Sequence, residues 1–98
     1  MDNRTVIQEG HLLAVFNSVH RVMKAEDLLK KLGLQVLLIP APRVLSTDCG
    51  LALRFCNDEN NGIMQALSRE QLQPVFVCRC IKAGIFETVW KSEENNIP

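Results

Sequence analysis

Tyrosine is absent from this sequence, tryptophan occurs once, and aromatic residues make up only 5% of its 98 positions. A platform of stacked rings for single-stranded nucleic acid is therefore not expected. An excess of charge of either sign is also missing, since 11 Lys and Arg balance 11 Asp and Glu. A chain without net charge has no global field to draw in nucleic acid or an anionic membrane. No apolar run reaches the roughly 18 residues that a membrane-spanning helix needs. The start, Met1-Asp2-Asn3-Arg4, lacks the basic-then-apolar order of an export signal. Neither nucleic acid nor a membrane is expected as a partner, and the expected compartment is the cytoplasm. Cysteine is scarce too: four residues, Cys49, Cys56, Cys78 and Cys80, fall well short of the roughly 8–10% of a disulfide scaffold. In a reducing compartment the choice for them is between buried thiols, reactive thiols and metal ligands.

What is present is a globular composition, with 47% apolar residues. The length suits one domain, not two. Residues 1–10 read as a flexible polar leader ending in Gly10, residues 11–90 as a single domain, and residues 91–98 as a polar tail. His11 to Phe16 is a short apolar run that suits a buried strand. Asn17 and Ser18 can cap a following helix, whose apolar face recurs through Val22, Ala25, Leu28, Leu29 and Leu32. Gly33 supplies the left-handed residue that ends it, and Lys30 and Lys31 suit its negative end.

Gln35 to Ile39 is a second strand stopped by Pro40. Leu51 to Phe55 alternates, with Leu51, Leu53 and Phe55 on one face and Ala52 and Arg54 on the other, as a third strand should. A second helix is predicted over roughly 59–72, with Asp58 as its cap and Gly62 weakening its first turn. Val75 to Ile81 is a fourth strand, and Ile85 to Trp90 a shorter fifth. The order β-α-β-β-α-β predicts an α+β fold, a two-layer sandwich of ferredoxin-like type. Its antiparallel sheet carries both helices on one face and the extra strand at its C-terminal end. Two helices leave the other face to solvent, a tail or a second subunit. A homodimer through that open face is one expectation, with Phe76, Val77, Phe86 and Trp90 as its surface.

Cys49 is the leading site candidate. It ends a long connection, immediately before Gly50, whose missing side chain leaves room for a bulky reactant beside the sulfur. Arg43 and Arg54, if near, favour a thiolate, whereas Asp48 opposes it. A small buried hydrophobe at the base of a loop is the plainer alternative. His20, in the first helical turn, and His11 are candidates for a Cys/His pair, although solvated surface histidines are commoner. The start of the first helix, with Arg21 and Lys24, could hold an anion, but an ordinary charged helix surface is the favoured reading. Cys78 and Cys80 share a strand face, with Cβ atoms roughly 7 Å apart, too far for a disulfide. Four converging thiols could hold zinc, but the C-x₂-C knuckle is missing and packed thiols are favoured, so no metal site is assigned. Cys56, at a strand end, could resolve an intermediate on Cys49.

The stretch Pro40-Ala-Pro-Arg-Val-Leu-Ser-Thr-Asp-Cys-Gly-Leu-Ala-Leu-Arg-Phe55 resembles the signature of the selenium/sulfur carrier-like protein family. Phe16-Asn-Ser-Val-His20 and Lys24-Ala-Glu-Asp-Leu-Leu29 are similar to the family's pattern before and within the first helix. The resemblance covers about residues 11–56, and more weakly the rest. It places the family's cysteine on Cys49, its glycine on Gly50, its strand arginine on Arg54 and its upstream proline and arginine on Pro42 and Arg43. Asp48 departs from the usual small hydroxyl residue, and Cys78 and Cys80 lie outside the pattern. The resemblance implies a carrier rather than a catalyst: a small protein that holds a persulfide or perselenide on Cys49 between a donor and an acceptor protein and needs no cofactor. The alternative is a non-catalytic ligand- or protein-binding module with structural cysteines.

Overall fold

The computed structural model describes residues 7–45 and 47–92. Strand β1 (Leu12–Val15) is followed by helix α1 (Val19–Lys31), strands β2 (Leu37–Pro40) and β3 (Leu51–Phe55), helix α2 (Asn60–Arg69) and strands β4 (Phe76–Lys82) and β5 (Ile85–Lys91). The five strands form one sheet in the order β2-β3-β1-β4-β5. Every neighbouring pair is antiparallel. The fold is therefore α+β, with two helices and a five-stranded antiparallel sheet.

Helix α1 begins and ends where its local chemistry dictates. The Ser18 hydroxyl accepts the N–H of Arg21 at 3.1 Å, which satisfies one of the donors left over in the first turn. At the other end Gly33 takes φ +81. Its N–H donates to Lys30 O at 3.0 Å and that of Leu34 to Leu29 O at 2.9 Å, the paired bonds of a Schellman motif.

Helix α2 differs from expectation at its start. A 3-10 turn, Asn57–Glu59, precedes it, and Asp58 lies inside that turn, so it does not cap the helix. Glu59 holds the capping position without capping; its carboxylate accepts the N–H of Gln35 at 3.1 Å instead. The helix stops at Arg69 because Gln71 turns left-handed, with φ 58.

Strand alternation divides the core in two. Leu12, Ala14, Leu53, Phe55 and Val77 point to one side, where they pack with Val22, Ala25 and Leu29 of α1 and Ile63, Ala66 and Leu67 of α2. Leu13, Val15, Ile39, Ala52 and Cys78 point to the other side and form a second buried cluster. Of the three coverings expected for that second face (solvent, a tail or a second subunit), the chain's own segments supply much of it. Ile7, Ala41, Leu45, Phe76 and Phe86 pack against it, because the segment before β1 and the loop after β2 fold back over the sheet. Val77 is buried on the helix side and is unavailable to a docking surface there. Trp90 lies opposite Val77 in the sheet and remains exposed.

The described residues at both ends, from Ile7 and up to Ser92, are drawn into the fold further than the polarity of the sequence suggests. Residues 1–6 of the expected leader lie outside the described residues. From Gln8 onward the leader is built into the domain: a turn closes at His11, and Gly10 N–H donates to Cys80 O at 2.8 Å. Lys91, expected in the tail, belongs to β5, and Ser92 N–H donates to Val75 O at 2.9 Å. Residues 93–98 lie outside the described residues.

Candidate functional site

The β2–β3 hairpin builds the site. Its ladder extends one step past the strands, where Ala41 N–H donates to Gly50 O at 2.9 Å. The residues between make a loop whose first part is a turn, closed by Leu45 N–H to Pro42 O at 3.0 Å. At its far end Gly50 takes φ +72, a conformation costly for any residue with a Cβ, and its N–H donates to the Thr47 hydroxyl at 3.0 Å.

This turn sets Cys49 at the foot of the loop. Its side chain is half-buried and packs against the helix-side core. Sγ lies 3.3 Å from Phe16 O and 3.2 Å from Leu51 O, and it accepts the N–H of Leu51 at 3.4 Å. A thiol has one proton, so it donates to one of the two carbonyls at a time. Phe16 leads through Asn17 to the Ser18 cap, which puts the sulfur at the edge of the sheet where α1 begins. Nothing lies within 4 Å of where a Gly50 Cβ would stand, so the space beside Gly50 itself is open.

The other expected site residues divide between the two ends of the sheet. Arg43 is exposed in the turn of the same loop as Cys49. His20 is exposed in the first turn of α1, at the same end of the molecule. Arg54 is not brought to Cys49. It is in register with Leu13 and Leu37, about 16 Å further along the extended chain, and alternation turns it to the face opposite the helices. There its charge acts on His11. Cys56 is exposed beyond the far end of β3, too distant to resolve an intermediate on Cys49. It lines a groove of about 410 Å³ together with Arg54, Lys30 and Phe55.

The two cysteines of β4 are buried. Burial pushes the Cys78 thiol up to about 11, with a smaller contribution from neighbouring Cys80. Burial and the Glu9 carboxylate raise Cys80 as well. Both are protonated at neutral pH and serve the core as small apolar groups. Arg21, weighed with Lys24 as an anion holder at the start of α1, has two backbone carbonyls as partners there. Its guanidinium donates to Gln71 O at 3.1 Å and Gln73 O at 3.4 Å, which ties α1 to the connection between α2 and β4.

Sequence reasoning missed the Phe16 carbonyl and the Thr47 hydroxyl. The second carries a legible signal, because a Ser or Thr three residues before a turn glycine commonly closes that turn. The first carries none, since it depends on how β1 and β3 pair. Among the described residues no group of three or more His, Cys, Asp or Glu side chains converges on a metal position. No helix among them is long and apolar enough to cross a membrane.

Residues 11–79 match the family described as "Putative Se/S carrier protein-like". The chain belongs to this family. The match takes in β1, α1, the Cys49 loop, α2 and most of β4, and therefore the whole of the candidate site. Neither curated proteins nor solved structures match the chain.

Proposed function

We propose that this Se/S carrier-like protein carries sulfur or selenium in the cytoplasm as a persulfide or perselenide on Cys49, between a donor and an acceptor protein. The observation that carries this reading is the position of Cys49 itself: a half-buried thiol at the foot of a loop, next to a glycine that has open space beside it. In the loading step the Cys49 thiolate attacks the outer sulfur of a donor persulfide. The Cys49 S–S bond forms as the donor S–S bond breaks, and the donor leaves as a thiolate with that bond's electron pair. Cys49-SH plus donor-S-SH thus becomes Cys49-S-SH plus donor-SH, with no outside oxidant or reductant. Arg43 supplies positive charge on the same loop for the anionic terminal atom, and His20 stands at the same edge. No cofactor is needed for this exchange.

The strand order, with β1 between β3 and β4, and the shared cluster of both helices support reading the domain as ferredoxin-like, with β5 added at one edge.

A second reading, a binding module or homodimer without sulfur chemistry, draws on the packing of Cys49 against the core and on exposed Ile85, Val89 and Trp90 of β5. One experiment separates the two. The protein is incubated with a cysteine desulfurase and cysteine, then mapped by mass spectrometry. The carrier reading expects one added sulfur at Cys49 and none in Cys49→Ala; sulfur that remains bound in that variant refutes it.

A further inference from the structure

His11 closes the turn from Gln8 to His11 on both sides. Its N–H donates to Gln8 O at 3.0 Å, and its Nδ1 accepts the N–H of Gln8 at 2.9 Å. Gly10, with φ +89, makes the reversal between them. The turn is fastened to β4 through Gly10 N–H to Cys80 O, 2.8 Å, and Cys80 N–H to His11 O, 2.9 Å. Before the turn the chain folds back, and Ile7 packs on the second cluster with Leu13, Val15 and Cys78. A ring nitrogen that accepts a hydrogen bond is unprotonated, so this geometry exists only with a neutral imidazole whose proton sits on Nε2.

We infer that His11 is a pH-operated latch: protonation turns Nδ1 from acceptor into donor, opens the turn at Gln8, and releases Ile7 from the second face of the sheet. Two N–H groups then face each other where one bond had been, and the Arg54 guanidinium of β3 repels the new charge. Glu9 is the acidic residue within the turn, and its charge acts on Cys80 of β4. Lys82 at the end of β4 is exposed opposite Ile85. Arg79 of β4 and Glu87 of β5 pair with each other at 3.3 Å, on the helix-facing side with Leu12. Burial and then Arg54 lower the His11 pKa below 6.5, so the latch is closed at neutral pH and opens in acid. The Cys49 site lies at the other end of β1, so the latch stands or falls independently of the carrier reading.

Amide hydrogen exchange of the full chain, followed by NMR between about pH 7.5 and about pH 5, tests the latch. Corrected for intrinsic exchange, Gln8 protection should fall roughly tenfold for each unit separating the closed and open His11 pKa values. The Ile7 methyl signals should shift over the same range. In His11→Asn, whose side-chain oxygen can accept the same N–H without titrating, Gln8 protection should not depend on pH. Equal pH dependence in both proteins, or none in the wild type, overturns the latch. Should the variant fail to fold, the wild type decides alone: a Gln8 amide shift that does not follow the His11 ring titration rejects it.

Discussion

The Cys49 sulfur lies 3.3 Å from the carbonyl oxygen of Phe16, a residue 33 positions earlier in the chain. This contact joins the foot of the β2–β3 loop to the end of β1 and fixes which thiol stands at the start of α1. It also separates the cysteines into distinct environments, which can be told apart in solution.

Thiol reactivity should follow exposure. Cys56 is exposed, Cys49 is half-buried, and Cys78 and Cys80 are buried. Alkylation of the native protein near neutral pH, mapped by mass spectrometry at short times, should label Cys56 first and Cys49 second. Cys78 and Cys80 should react only after denaturation. Labelling of Cys78 in step with Cys56 would contradict the arrangement of β4.

The two arginines of the signature should separate in a sulfur-loading assay. Arg43→Gln removes charge from the Cys49 loop and should slow loading several-fold. Arg54→Gln removes charge from the far end of the opposite face and should leave the loading rate unchanged. A reversed order of effects would mean that the loop and strand do not hold the positions described.

Gln71 adopts φ 58 at the end of α2, where Leu72 N–H donates to Leu67 O at 2.8 Å. Gln71→Gly keeps those bonds and relieves the left-handed strain, partly offset by the glycine's greater freedom when unfolded. A gain of about 0.5–1 kcal/mol is expected in urea denaturation. The Arg21 bond to the Gln71 carbonyl is a backbone contact and should survive.

Ser18→Ala removes the hydroxyl that accepts the Arg21 N–H at 3.1 Å and should cost about 1 kcal/mol. Urea denaturation with an unchanged m-value would show that the loss lies in the folded state.

Stability should fall at both ends of the pH range. His11 has a lowered folded pKa, so below its ordinary 6.5 the unfolded chain takes up a proton before the folded one does, and stability drops as pH falls toward the folded value. Cys78 has a raised one, about 11 against 9.0. The unfolded thiol ionises first, and stability is lost as pH rises from 9.0 toward about 11. Chemical denaturation across pH should give a flatter acid limb in His11→Asn and a flatter alkaline limb in Cys78→Ala. Unchanged limbs would sink these assignments.

The sequence by itself determined the features that act over a few residues. Ser18 and Gly33 bound α1, and the alternation of Leu51, Leu53 and Phe55 against Ala52 and Arg54 specifies β3, whereas Pro40, expected to stop β2, is itself part of that strand and pairs with Leu51. The α1 bounds and the β3 alternation follow from caps, backbone limits and side-chain periods that operate within about four positions. The same alternation already turned Arg54 away from the helices, although its distance along the strand from Cys49 had to be added. Asp58 misled because a 3-10 turn used the residues that would have formed a capped first turn. Only the tertiary structure decided that Cys49 meets Phe16, that Arg21 ties down the α2–β4 connection, and that Ile7, Ala41 and Leu45 cover the second face. Those contacts depend on strand register and loop closure between residues far apart in the chain, which no local pattern encodes.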